Sequence, residues 1–144
     1  MAINPAGLMN GQSDAVVQQV LAWAAPLLKD GPVLVYSTAE PEAVKQVQTQ
    51  LGVAEAGALV EHALAAVARG LVDLGVQQLI VAGGETSGAC VQALGIAQLQ
   101  IGPQIDPGVP WCHAPSAHGG VHIALKSGNF GTEDFFSKAF TVLA

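Results

Sequence analysis

The sequence predicts an α/β layered fold, with a mixed, partly parallel sheet flanked by helices. Three observations predict it. Residues 55–74 repeat apolar side chains at helical spacing, with Val60, Leu64, Val67, Leu71 and Leu74 on one face and Glu61, Arg69 and Asp73 on the other. Residues 79–82 then form an unbroken apolar run rich in β-branched side chains, as expected of a central parallel strand buried on both faces. Beyond residue 95 the pattern changes to short apolar runs separated by Gly/Pro turns, which reads as a meander.

The elements follow in order. Residues 1–11 mix Pro, Gly and Asn without periodicity and read as a leader or linker stub, leaving 12–144 as a single domain. Ser13 is placed to cap a helix whose stripe is Val16, Val20, Trp23 and Leu27, ended by Pro26 and Gly31-Pro32. Residues 33–36 predict a short buried strand, and Ser37-Thr38 turn it into a helix over 41–51. Gly75 closes the long helix as a C-cap. A strand over 76–82 leads through glycines into a helix over 86–94, stopped by Gly95. Short strands are expected at 96–101, 105–110 and 121–125, with a turn at Gly102-Pro103, and a last helix over 133–143 takes Thr132 as its N-cap.

Composition narrows the function. Of the 144 residues, 51% are hydrophobic and 11% charged, which implies a globular protein with a substantial core. The five bases, Lys29, Lys45, Arg69, Lys126 and Lys138, are scattered in a chain of net charge −6, so nucleic acid is not an expected partner. No apolar run approaches the ~20 residues that span a bilayer, and the N-terminus lacks the basic and apolar regions of a signal peptide. The expectation is a cytoplasmic protein with no membrane partner. Cys90 and Cys112 sit in apolar surroundings and read as buried, reduced thiols.

Three stretches carry candidate chemistry. In 83–88, GGETSG, a strand stops at a glycine pair and restarts as a helix, which aims free amides at one point. Gly83 and Gly84 are expected to take conformations closed to other residues, letting a ligand reach the backbone. Glu85, Thr86 or Ser87 could then touch a ribose, a base edge or a metal-bound water. The alternative is an ordinary capped turn. In 126–131, KSGNFG, Lys126 precedes the glycines, which excludes a P-loop; it is either a point charge for a phosphate or a lysine in solvent. In 105–111, IDPGVPW, Asp106 either reaches Mg²⁺ through water or serves the turn. Cys112, His113, His118 and His122 lack the spacing of a zinc site, and no metal ligand is assigned.

Taken in chain order, AGGETSGA at 82–89, IGPQIDPGVPW at 101–111 and ALKSGNFG at 124–131 resemble the C-terminal half of the four-carbon acid-sugar kinases, from about Glu55 to the C-terminus. Upstream only Ser13 and Gln19 fit the family's pattern, and Gln104 stands where an acid is expected. The resemblance implies an ATP-dependent kinase, working with Mg²⁺, that phosphorylates the terminal hydroxyl of a four-carbon sugar acid of the 3-oxotetronate, threonate or erythronate type. It implies ATP contacts at Ser13, Gly83, Gly84, Glu85, Thr86 and Gly128, and names no catalytic residue. Such enzymes run to roughly three times this length, two or more domains. The sugar acid is therefore expected to bind through an N-terminal domain outside this sequence, and the chain alone to be inactive. The alternatives are one half of a split kinase, or a stand-alone module that senses a nucleotide or another anion.

Overall fold

In the computed structural model, which describes residues 1–38, 41–115 and 120–143, the chain divides into two units, Met1–Leu71 and Val72–Ala144. The first unit is helical. Its start differs from the expected leader: Pro5–Leu8 forms a 3-10 turn, Ile3 and Leu8 are buried, and the amide of Ile3 donates to the carbonyl of Tyr36. Burial of Ile3 and Leu8 and the backbone bonds to Tyr36 tie the segment down. Helix α1 spans Ser13–Ala24, with Val17, Val20 and Ala24 buried. Leu27 lies beyond its end, because Pro26 lacks the amide a further turn would require.

Residues 33–36 do not form the predicted buried strand. They make a single bridge, Ala2 to Tyr36, and Leu34 and Tyr36 are exposed. Helices α2 (Pro41–Leu51) and α3 (Val53–Asp73) meet at Gly52, whose φ of +86° is open to glycine, with a bend of 109°. Helix α3 passes close to α1, since a Cβ on Gly70 would collide with the Leu21 side chain. Gly75, at φ +98°, ends the helix as expected. Among the described residues no single helix is long and apolar enough to cross a membrane.

The second unit holds the sheet. Its strands are β1 (Gln78–Ala82), β2 (Gln100–Asp106), β3 (Val109–Ala114) and β4 (Val121–Lys126), in the order β1-β4-β3-β2. β1 and β4 are parallel; the other pairs are antiparallel. The mixed, partly parallel sheet of the sequence reading is therefore present, but β1 lies at an edge of these four strands and not in the centre. Helix α4 (Gly84–Ala93) packs on β1 and β4. Helix α5 (Phe135–Val142) covers the face carrying Ile80, Trp111 and Ala124. The alternate residues Val81, Val121 and Ile123 are buried on the other face.

Gly102-Pro103, expected as a turn, lies inside β2. Proline is tolerated there because β2 is an edge strand, and the pairing register shifts on either side of Gln104. Glycine at 102 admits the close approach of β3, for a Cβ there would lie 3.0 Å from the Trp111 carbonyl oxygen. The turn falls instead at Pro107-Gly108. Both cysteines are free and buried, and burial pushes the Cys90 thiol up to about 11, which leaves it protonated and inert.

Candidate functional site

The parallel pairing of β1 and β4 places Ala82 opposite Lys126, so both strands stop at the same level of the sheet. The two glycine-rich stretches, some 40 residues apart in sequence, begin at the next residue of each strand. The amide of Gly83 donates to the Lys126 carbonyl at 2.8 Å and ties them together. Ligands of α/β folds gather at such carboxyl ends of parallel strands.

Gly83 is the N-cap of α4, with φ 119° and ψ 132°, and no side chain caps the helix. That conformation is effectively restricted to glycine. The Ser87 hydroxyl, which could have competed for the end, instead donates to the Gly83 carbonyl at 2.6 Å. The first-turn amides of an α-helix have no intrahelical acceptor, and here they belong to Gly84, Glu85 and Thr86. Gly84 differs from the expectation. It is helical with an ordinary φ, and its contribution is space, since a Cβ there would sit 3.7 Å from Ser127 Oγ in the facing loop. Glu85 is exposed and Thr86 half-buried, its hydroxyl 3.2 Å from where a Gly83 Cβ would stand.

Across from α4, Gly128 has φ +45° and no atom within 4 Å of a notional Cβ, so the loop is open on that side. Lys126 is neither free in solvent nor spent on an acid: its amine donates to the Gly128 carbonyl at 2.8 Å. This keeps one positive charge at the mouth of the two loops. Phe130, which the sequence reading did not single out, is 52% exposed, and its ring lies on Gly108, where a Cβ would come within 2.7 Å of Cε1.

The third stretch supports this loop. Asp106 is buried; its carboxylate pairs with Lys138 and accepts from the Thr132 amide at 3.0 Å. The sequence reading of Asp106 as a turn acid differs from what is seen: its carboxylate is an anchor for residue 132, 26 residues away. Thr132 consequently does not cap α5, whose N-cap is Asp134. The loop 127–131 is thus held by Gly83 at one end, Gly108 in the middle and Asp106 at the other.

The Lys138 ammonium, followed by the Thr132 amide, holds the Asp106 carboxyl below the usual carboxylate range, and Asp106 raises Lys138 in turn. A depressed acid stabilises the fold above its unfolded pKa of about 3.9 and loses that contribution as pH falls through its lower folded value. A raised lysine stabilises below about 10.4 and loses it as pH rises through the folded value. Asp106→Asn is therefore expected to lower the Tm between about pH 5 and pH 9, with the gap to wild type closing toward pH 2. Calorimetric scans across that range check it, and a gap that stays constant into acid would show that the charge is immaterial.

Ser13 lies in the first unit. It is the first residue of α1, not the cap, and its hydroxyl donates to the Leu8 carbonyl at 3.1 Å. Among the described residues no group of three or more His, Cys, Asp or Glu side chains gathers to hold a metal. His118, weighed in the sequence for zinc, lies outside the described residues.

Residues 1–136 match the family described as the nucleotide-binding C-terminal domain. The chain is 57% identical over 144 residues to a Pseudomonas fluorescens protein named 3-oxo-tetronate kinase, covering 99% of this chain and 32% of that protein. A Burkholderia multivorans protein of the same name is 56% identical over 136 residues, 94% of this chain and 31% of the relative. The crystal structure of a Haemophilus influenzae protein of the family DUF1537 aligns with a TM-score of 0.84 at 37% identity, covering 100% of this chain and 34% of that one. The similarity extends upstream of Glu55, where the three motifs alone had placed its beginning. The chain spans about a third of the length of these curated relatives. It belongs to the family of nucleotide-binding C-terminal domains.

Proposed function

We propose that this chain is the ATP-binding part of a kinase that phosphorylates the terminal hydroxyl of a four-carbon sugar acid. The observation that carries the reading is the meeting of two glycine-rich loops at the ends of the parallel strands, beside a helix terminus that no side chain caps. The site suits a polyphosphate. The amides of Gly84, Glu85 and Thr86 donate to phosphate oxygens along the positive end of α4, and hydrogen bonds to a charged partner are worth roughly 1.5–3 kcal/mol each. Gly83 and Gly128 let the phosphates approach the backbone, and Lys126 adds a point charge.

The exposed face of Phe130 offers a stacking surface for the base. Mg²⁺ travels with the phosphates, and Glu85, the exposed acid in the first turn of α4, is the carboxylate placed to meet it. Ser13 is included on the family resemblance alone. The name 3-oxo-tetronate kinase, borne by relatives more than half identical to this chain, supports the acceptor class. ATP supplies the phosphoryl group, and these residues bind and orient it. Nothing assigned on this chain holds the acceptor, so phosphoryl transfer awaits the remainder of such an enzyme.

Calorimetric titration with ATP, Mg²⁺·ATP, AMP and tripolyphosphate tests the proposal. ATP and tripolyphosphate are expected to bind with a dissociation constant on the order of 0.1–1 mM, AMP more weakly, and no phosphorylated acid to form. Equal binding of AMP and ATP, or no heat at millimolar ATP, would overturn the assignment of the cradle.

A further inference from the structure

At the other end of the sheet four polar residues stand in register across all the strands: Gln78 of β1, His122 of β4, His113 of β3 and Gln100 of β2. Directly opposed residues of neighbouring strands share a face, so the four form one row. The two imidazoles are adjacent, with ring centroids 5.0 Å apart and planes inclined by 60°. His113 is exposed and His122 half-buried. Gly120 passes close to His113, since a Cβ there would lie 3.2 Å from its Nε2. The row is separate from the glycine loops: Gln78 opens β1 and Ala82 closes it, about 13 Å along the strand.

We propose that His113 and His122 form a two-imidazole site for a divalent transition ion of the Cu²⁺, Ni²⁺ or Zn²⁺ class. A metal bound through a ring nitrogen at about 2.0–2.1 Å sits about 3.2 Å from that ring's centroid. With one nitrogen of each ring turned to a shared ion, centroids 5.0 Å apart subtend about 100° at it, the angle between neighbouring ligands of a tetrahedral or tetragonal centre. Neutral imidazole is the ligand these ions favour among nitrogen and oxygen donors. The remaining positions open to solvent on the exposed side of His113, where water or a small external ligand completes the shell. The row itself, Gln78, His122, His113 and Gln100, carries no carboxylate, and with two protein ligands the ion is expected to exchange.

The test is a titration of chelator-stripped protein with Cu²⁺, Ni²⁺ and Zn²⁺ by calorimetry, with the Cu²⁺ sample examined by electron paramagnetic resonance. One ion per chain is expected, with hyperfine structure from two nitrogens. His113→Asn and His122→Gln should each lower affinity about tenfold or more while leaving the Tm and ATP binding unchanged. Wild-type affinity in the double variant, or no binding by the wild type at 1 mM metal, would overturn the site.

Discussion

Gly84→Val is expected to abolish detectable ATP binding while the chain keeps its fold. Gly84 is the first residue of α4 with an ordinary φ, so the backbone accepts any side chain. A Cβ clears Ser127 Oγ by an ordinary contact of 3.7 Å, and the branched methyls of valine project from that point into the gap between the loops. The amides facing that gap then lose access to a phosphate. Replacing three charge-assisted hydrogen bonds with a steric block should cost at least a hundredfold in affinity, about 2.7 kcal/mol. Stability should stay within about 0.5 kcal/mol, because glycine is the poorer helix former of the two. Gly83→Ala is the contrasting variant. Its backbone at φ 119° strains any side chain, so it should lose roughly 1–3 kcal/mol of stability. Calorimetry and thermal denaturation of both variants separate the roles. Undiminished ATP binding by Gly84→Val would remove the phosphates from this turn.

The largest loss of stability is expected from Trp111→Ala. Trp111 is fully buried beneath α5, packs against Phe140 at 6.0 Å between centroids, and donates its indole N–H to the Ala139 carbonyl at 2.8 Å. Removing so large a side chain from a core typically costs about 3–5 kcal/mol, a large share of the 5–15 kcal/mol available to a domain. Trp111→Phe keeps most of the ring but strands the buried carbonyl, at about 1–3 kcal/mol. Urea denaturation followed by circular dichroism should rank wild type, Phe and Ala in that order. If Phe equals wild type, the indole hydrogen bond contributes nothing net. Because α5 follows directly on the loop anchored by Asp106, the Ala variant should also weaken ATP binding.

Local chemistry made the helices and the glycine turn readable. Periodicity placed α2 and α3 within two residues of their ends, and Gly75 and Gly83 took the positive φ that their neighbours predicted. The misplaced strands and turn share one cause, which is that strand environment is not local. Residues 33–36 and 79–82 look alike as apolar runs, yet one makes a single bridge and the other a sheet edge. Gly102-Pro103 has turn composition and sits in a strand, because an edge tolerates both residues and β3 approaches closely there.

The candidate site divides along the same line. The stretch 83–88 identified the turn at Gly83, though not the helical φ of Gly84, because a strand-to-helix turn through glycine is set by residues next to one another. The other two stretches could be found but not assigned. Asp106 and Thr132 are 26 residues apart, and their hydrogen bond exists only because the β2–β3 hairpin and the end of β4 meet in the folded unit. Gly108 reads as a turn residue until Phe130 is seen lying on it. His113 and His122 have no ligand spacing along the chain, and antiparallel pairing makes them direct neighbours. Short-range sterics and periodicity decided where the helices run and that the chain turns at Gly75 and Gly83. The parallel register of β1 with β4 decided that two of the motifs meet at one end of the sheet, and contacts across 20 or more residues tied the third to them, because no local rule specifies which distant strand supplies the hydrogen bonds.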